Sequence, residues 1–238
     1  GILTCLKHFL LLLFLAAGGL RAETPFWGIL YLNNPVTKRT GFWFDGHYRT
    51  IGIGLVGQQI LLRPGYWVTL RPGVVLNGGY VHAFTSTRPD APIPFVRHEH
   101  RAWEQLILTS RAGRTNFQHR FTLEQRYFGQ YVARNGEMVN TGWKPEDRVR
   151  YRLRVAHPVA ERLQLVFFDE IFMNFGRNVA VRHYDQNRVY AALSVNLNQT
   201  NRMEFAYMWT RVQNRIPMRM VDQHGILISF FNSSPLRK

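Results

Sequence analysis

Arginine occupies every second position in RVRYRLRV, residues 148–155, and apolar residues occupy the positions between. The guanidinium group is permanently charged and presents a planar fork of donors, which suits carboxylates, phosphates and other anions. Polar stretches elsewhere carry carboxylates at positions that could reach these cations. The pattern therefore predicts anion binding, or an arginine–glutamate network involving Glu99, Glu124, Glu170 and Glu204.

Two shorter motifs suggest other chemistry. His98 and His100 in HEH fall on one face of a strand and could ligate a metal, but no third ligand stands at a defined spacing. A polar cluster near a rim is the favoured interpretation. In FDE, residues 168–170, Glu170 could be a general acid, yet a buried ion-pair role beside the arginines is favoured. We predict no catalytic residue, no cofactor and no metal site.

A membrane-embedded lipid hydrolase is an alternative to a protein that only binds anions. Outer-membrane phospholipases and lipid A deacylases are barrels of comparable size that use serine with histidine. His119 and His224 fall on apolar faces, and Ser110, Ser194 and Ser229 are available. No serine stands in a recognisable nucleophile context, and a triad is defined by geometry that spacing does not supply.

Only strands can sort these residues onto faces. A helix would scatter the alternating residues of 147–155, whereas a strand separates them onto two sides. The same alternation recurs in 115–128, 186–197 and 202–210. Most strand-like segments have ten to fourteen residues, enough for tilted strands that cross a bilayer, which need about 9–11.

The number of strands does not follow directly from the count of strand-like segments. Bacterial single-chain barrels have an even number of strands, so we expect about twelve, with ten as the alternative. The extra strand would lie in the Gly-rich region 50–59, or else the N-terminal segment would lie outside the ring. The sequence shows eleven segments: 25–33, 41–51, 58–70, 74–86, 96–109, 114–131, 147–156, 162–174, 184–197, 202–213 and 220–231.

The connections alternate in length, as in outer-membrane barrels with short periplasmic turns and longer external loops. The short ones are predicted at 71–73, 111–113, 157–161 and 198–201, and the long ones at 85–94, 133–146 and 176–183. Tryptophans near strand ends fit interfacial girdles equally well as core packing; they are Trp43, Trp67, Trp103, Trp143 and Trp209.

The polar faces decide which side meets lipid. They are rich in arginine, glutamine and asparagine with little lysine, which suits an enclosed network rather than a surface in water. We therefore predict an all-β, antiparallel, up-and-down transmembrane β-barrel, with Val149, Tyr151, Leu153 and Val155 facing lipid. The predicted lumen-lining residues are Arg120, Glu124, Arg126, Arg148, Arg150, Arg152, Arg154, Glu170 and Arg188.

The N-terminus predicts export. A cationic start, an apolar run from Phe9 to Ala17 and small residues before Glu23 form the layout of a secretory signal peptide over residues 1–22. Residues 23–238 would form a single barrel domain. The formal charge of +15 suggests nucleic acid, but an exported chain with cations spread over many strands makes that partner unexpected.

Five stretches together resemble an uncharacterised domain-of-unknown-function family of exported Gram-negative proteins: VRHEHRAWEQL, NFQHRFTLEQRYF, RVRYRLRV, LVFFDEIFMNFG and DQNRVYAALSVNLNQTNRMEFAYMW. Members are predicted outer-membrane β-barrels. The resemblance covers about Phe26 to Phe231 and implies the fold and an outer-membrane location. It implies no activity, substrate or catalytic residue.

The expected function is passive. A cationic lumen suits a small anion-preferring pore, a barrel that binds or transports an acidic small-molecule solute, or a structural barrel. A soluble periplasmic lipocalin-like barrel is a further alternative, and it requires Val149 and its apolar neighbours to point inward. The expected partners are outer-membrane lipid, lipopolysaccharide and the barrel-assembly machinery, the last because HGILISFF, residues 224–231, resembles a C-terminal aromatic assembly signal.

Overall fold

The computed structural model describes residues 24–52, 56–87, 91–176, 178–179, 183–214 and 219–236. The predicted signal peptide lies outside them. Eleven strands are described: β1 (Phe26–Pro35), β2 (Thr40–Ile51), β3 (Val56–Arg71), β4 (Val74–Ser86), β5 (Val96–Ala112), β6 (Thr115–Arg134), β7 (Glu137–Pro158), β8 (Leu163–Phe175), β9 (Tyr184–Asn196), β10 (Asn201–Asn214) and β11 (Arg219–Asn232).

The strands form one closed barrel in chain order. Every neighbouring pair is antiparallel except β1 and β11, which pair in parallel from Phe26↔Ile226 to Leu32↔Asn232. This parallel seam lets an odd number of strands close, so the structure has eleven described strands rather than twelve or ten. Region 50–59 holds no additional described strand, since it contains the connection between β2 and β3 and a register shift at Arg49/Thr50.

The two ends of the barrel differ. Connections 36–39, 72–73, 113–114, 159–162 and 197–200 lie where β11 ends, which we call the turn end. Connections 52–55, 87–95, 135–136, 176–183 and 215–218 lie where β1 begins, the loop end. Connections 87–95 and 176–183 have nine and eight residues, longer than any at the turn end, which agrees with the predicted alternation except at one place.

The exception is the predicted loop 133–146. There β6 and β7 continue and meet in a two-residue turn at Asn135 (φ 51°) and Gly136 (φ 84°). Two successive positive φ angles are the signature of a type I′ hairpin, for which Asn-Gly is the preferred pair. β5 pairs with β6 only up to Phe128, and β8 pairs with β7 only from Asp147, so residues 129–146 project beyond the wall as a hairpin arm.

The barrel is polar inside and apolar outside. Lumen-facing positions include buried Glu124 and Arg148, whereas outward Phe121, Val149 and Phe167 are 45%, 43% and 47% exposed. A barrel folded for water would show the reverse. This orientation excludes the lipocalin-like arrangement, which needs Val149 inside. Among the described residues, no helix has the length and apolar character to cross a membrane.

Apolar residues fill part of the interior beside the charged wall. One cluster lies on β1 and β7 to β11 and includes Ile29, Val166, Ala192 and Leu227. A second, on β3 to β5, packs Leu61, Val81, Ala83 and Trp103 together with Trp43. The lumen therefore combines charged side chains, densest on β5 to β8, with apolar clusters that share some of the same strands.

The tryptophan girdle is only partly supported. Trp43 lines the lumen, and Trp103 is buried there at 1% exposure with the Arg63 guanidinium 4.3 Å from its ring centroid. Trp143 is 43% exposed and contacts the outward-facing His100. The side on which each tryptophan lies follows from its strand position, because residues two positions apart on a strand face the same side of the sheet.

Trp103 fits only because β3 and β4 carry glycine opposite it. A Cβ on Gly65 would lie 2.6 Å from Cζ2 of Trp103 and 2.8 Å from the Gly78 carbonyl oxygen. We expect Gly65→Ala to lower the free energy of unfolding by about 1–3 kcal/mol through overpacking, measured by denaturant titration of the folded barrel. Gly28→Ala is the control, since its Cβ would meet nothing nearer than 3.9 Å. Equal stability of the two variants would contradict this account.

Candidate anion-binding lumen

A cavity of about 970 Å³ occupies the barrel interior. Its lining includes His98 and Phe128 near the loop end, and Asn198, Asn201 and Ser233 at the turn end. The cavity therefore follows the barrel from one end to the other, past the charged wall. This geometry brings any solute in the lumen into contact with arginine side chains.

Glu124 is the most densely paired carboxylate of this wall. Its Oε2 accepts hydrogen bonds from Nε of Arg148 at 2.8 Å and from Nη2 at 2.5 Å, while Oε1 accepts one from Nη1 of Arg150 at 2.7 Å. Nη1 of Arg101 lies 3.7 Å from Oε1. Glu124 is 1% exposed. Strand register explains the contact, since Glu124 pairs directly with Arg148 across β6 and β7.

Glu170 joins the same network from β8. Its Oε1 accepts hydrogen bonds from Nη2 of Arg120 at 2.7 Å and from Nη2 of Arg150 at 2.8 Å. Arg150 thereby bridges two carboxylates on strands either side of β7. Such charge-assisted bonds are stronger than neutral ones, and the forked guanidinium is suited to making several at once.

Two further carboxylates extend the network along the lumen. Glu99 accepts two hydrogen bonds from Arg101, at 2.8 and 2.9 Å, and one from Arg126 at 2.7 Å. Towards the turn end, Glu204 accepts one from Arg154 at 2.8 Å. Much of the cationic wall is thus neutralised by direct pairing.

Four arginines of the cavity lining have no such partner. Arg97 is exposed, and the other three, Arg49, Arg152 and Arg188, lie further inside the lumen. In the part of the chain that the structure describes, no carboxylate forms an ion pair with any of them. Arg49 and Arg152 donate instead to the neutral amides of Gln59 at 2.8 Å and Gln118 at 3.0 Å. Amides satisfy donors but do not cancel charge.

Arg188 makes its closest described contacts with aromatic faces. Its guanidinium carbon lies 4.7 Å from the ring centroid of Phe172 and 5.2 Å from that of Trp27, and Arg49 lies over Trp27 at 4.0 Å. Arg188 also interacts electrostatically with Glu170, but that carboxylate already accepts hydrogen bonds from Arg120 and Arg150. Cation–π contacts hold a guanidinium in place without neutralising it.

The lining carries an excess of positive charge. Twelve arginines line the cavity against five carboxylates. Glu124 and Glu146 are buried in the same wall, which leaves five positive charges uncompensated among the described residues when histidine is neutral. An interior with one dominant sign of charge attracts ions of the opposite sign.

All nine residues predicted from the sequence to face the lumen lie on its wall. Eight line the cavity directly: Arg120, Arg126, Arg148, Arg150, Arg152, Arg154, Glu170 and Arg188. Glu124 is buried behind Arg148 and Arg150. The sequence interpretation missed Asp45, His47 and Arg49, which alternate along β2 on the lumen side. Their alternation was a visible signal, but the glycines and aromatics between them obscured it.

Among the serines considered for lipid hydrolysis, Ser110 is exposed on the outer face of β5, two register positions from His119, and no described hydrogen bond joins the two. The other two serines lie on the opposite side of the wall from the histidines. Ser194 and Ser229 are buried on the lumen side, at 0% and 2% exposure. His119 faces outward and its Nδ1 contacts the Tyr151 hydroxyl at 2.9 Å, and His224 contacts the hydroxyl of Tyr207. Neither serine can form a serine–histidine pair with these histidines through the strand.

Comparison with known proteins gives a family and a fold. The family model described as a protein of unknown function, DUF2490, matches residues 24–221. No curated protein matches the sequence. Among solved structures, the NanC porin in a rhombohedral crystal form aligns with a TM-score of 0.52 at 11% identity, covering 85% of this chain and 90% of that one.

A second solved structure is the beta domain of the Bordetella autotransporter BrkA. It aligns with a TM-score of 0.47 at 12% identity, and the alignment covers 83% of this chain and 85% of that one. At such identities the porin match shows a shared barrel fold.

Proposed function

Because this chain belongs to the DUF2490 family of proteins of unknown function, we propose a function from the barrel itself: a small anion-preferring pore in the outer membrane of a Gram-negative bacterium. The uncompensated arginines Arg49, Arg152 and Arg188 are the observation that carries the proposal. They line a cavity that reaches both ends of the barrel. The pore's solutes would be small acidic molecules and inorganic anions.

The membrane location rests on the inverted polarity of the wall. Outward apolar side chains would be stable against lipid tails, and a closed barrel leaves no unpaired strand edge in the bilayer. Outer-membrane lipid would surround the wall, with lipopolysaccharide at the loop end. Such a barrel would require the barrel-assembly machinery for insertion. The porin named among the similar structures is consistent with this assignment.

Selectivity would come from charge rather than from a shaped ligand pocket. Arginine rings set anion preference in pores by lowering the energy of anions and raising that of cations. The paired arginines around Glu124 and Glu170 would hold the wall rigid, while the three without carboxylates would supply the field. The apolar side chains beside these arginines would narrow the path without adding charge.

The test is ion selectivity in a planar bilayer. We expect the purified barrel to conduct and its reversal potential in a salt gradient to show anion preference. The triple variant R49Q/R152Q/R188Q should lower the anion-to-cation permeability ratio at least about threefold, because a lumen potential of several kT depends on these charges. Arg211→Gln is the control, since Arg211 lies outside the lumen, 51% exposed and 4.0 Å from Asp222.

The dense pairing of the wall supports a second candidate, a closed structural barrel. Arg150 alone bridges Glu124 and Glu170, and such bridges could block the passage of ions. A folded barrel that shows no conductance above the bilayer background would favour this candidate and contradict the pore. Conductance with cation preference would contradict the role assigned to the three arginines.

A further inference from the structure

Three histidines meet on the outer face of the barrel near its loop end. His82 lies on β4, and His98 and His100 lie on β5, where His100 is the direct cross-strand partner of His82. Glu99 and Arg101, which alternate with His98 and His100 along β5, line the cavity, and His98 itself borders the cavity at its loop end. Strand parity therefore places the histidine side chains on the other side of the sheet from Glu99 and Arg101. All three lie within about five residues of connection 87–95, near the loop end.

The rings are in mutual contact. Nε2 of His82 lies 3.1 Å from Nδ1 of His98, and the His82 and His100 rings stack with their centroids 4.4 Å apart. The Tyr80 hydroxyl contacts Nδ1 of His100, and the Trp143 ring lies 4.5 Å from the same imidazole. The sequence suggested only the pair in HEH, whereas the sheet adds His82 from the neighbouring strand.

The His82–His98 contact has the spacing of a chelating pair. Nε2 of His82 and Nδ1 of His98 are 3.1 Å apart. When both rings are neutral, one of these nitrogens carries a proton and donates it to the lone pair of the other. In a tetrahedral zinc site with Zn–N bonds of about 2.0–2.1 Å, two ligand nitrogens are roughly 3.3 Å apart. A Zn²⁺ ion could therefore take the place of the shared proton if the two nitrogens moved apart by a few tenths of an ångström and both rings turned until their lone pairs converged on the ion. The ring that donated the proton would carry it on its other nitrogen instead.

The third histidine has one ring nitrogen in contact with a partner, the Tyr80 hydroxyl at Nδ1 of His100. If Nδ1 of His100 donates to the Tyr80 hydroxyl, its Nε2 carries the lone pair, as in metal sites where an outer partner orients the ligand. In the described part of the chain, no three histidine, cysteine or carboxylate groups already surround a common point. His100 would complete the set by rotating its ring out of the stack with His82.

We propose that His82, His98 and His100 form a surface site for a borderline-soft divalent cation, with Zn²⁺ as the probe. Three imidazoles suit Zn²⁺, and a water molecule would occupy the fourth position. The proposal does not depend on the pore, because His82 and His100 lie outside the cavity lining and His98 borders the cavity only at its loop end. It would bring a metal ion to the outer wall beside the exposed rings of Tyr80 and Trp143.

The test is calorimetric titration of the folded, detergent-solubilised barrel with ZnCl₂, using protein that carries no histidine tag. We expect about one Zn²⁺ per chain. His82→Gln and His98→Gln should each weaken binding at least about tenfold, the smaller end of what loss of an outer partner of a ligand costs. His224→Gln is the matched control, because His224 also faces outward and contacts a tyrosine.

Folding of each variant would be checked by its heat-modifiable mobility on a gel. A second measurement needs no variant: Zn²⁺ should protect His82 and His98, but not His224, from acylation by diethyl pyrocarbonate, read by mass spectrometry. Binding by the wild type no tighter than by the H82Q/H98Q variant would overturn the proposal. Equal protection of His224 would overturn it as well.

Discussion

Glu124→Gln should destabilise the folded barrel by about 3–5 kcal/mol, the cost of removing one partner from a buried ion network. Glu124 is 1% exposed and accepts hydrogen bonds from Arg148 and Arg150, with Arg101 also near. Glutamine keeps the shape and one acceptor, but its amide nitrogen would face a guanidinium. The buried cations would lose their central counter-charge.

The measurement is the free energy of unfolding in lipid vesicles, followed by tryptophan fluorescence during denaturant titration. Glu137→Gln is the control, because Glu137 is exposed at the tip of the hairpin arm and should change stability by less than about 0.5 kcal/mol. If Glu124→Gln matched this control, the network would be solvated and its pairing energetically unimportant. A failure to fold would agree with the expected direction, and Glu124→Asp would then test whether the charge alone rescues folding.

Val149→Arg should destabilise the barrel by about 2–4 kcal/mol in lipid vesicles, the cost of a cation on the lipid face near the bilayer midplane. Val149 is 43% exposed and lies between Leu123 and Met173 on the neighbouring strands. The same substitution on a water-facing wall would cost little. The substitution therefore separates a barrel whose outer wall lies in lipid from one whose outer wall lies in water.

Val139→Arg is the matched control for that experiment. Val139 is 38% exposed and lies on the hairpin arm, beyond the strands that close the wall. We expect the heat-modifiable band of this variant to match the wild type after folding into vesicles, while the Val149 variant shows a reduced folded fraction. If Val149→Arg and Val139→Arg both left the folded fraction nearly unchanged, the outer wall would lie in water. The proposal of a membrane pore would then be contradicted.

The strands of the charged wall could be predicted because their alternation is nearly complete. In RVRYRLRV every arginine faces in and every apolar residue faces out, and the fold preserves that division. The start of β7 could not be found in the same way, because Gly142 and Pro145 interrupt its pattern. Asn135–Gly136 did carry a recognisable hairpin signal, which the polar composition around it concealed.

Pairing within the lumen was less accessible from sequence. Alternation gives the face of a residue but not its neighbour across the sheet, which depends on register. Thus Glu124 and Glu170 were expected to meet arginines. The bridging role of Arg150, and the lack of an ion pair to Arg49 within the described ranges, appear only in the fold. The strand count failed for a related reason, since an even number is required only when all neighbours are antiparallel.

The parallel seam also bears on how the barrel folds. All other strand pairs join neighbours in the chain, whereas Phe26 and Ile226 are separated by 200 residues. Closing so long a loop costs conformational entropy before the contacts between β1 and β11 can stabilise the closed ring. The seam should therefore be the last strand pairing to form. Until then β1 and β11 are both exposed edge strands, the features most prone to pairing with a second chain. The interval before closure is when the folding chain is most vulnerable to aggregation.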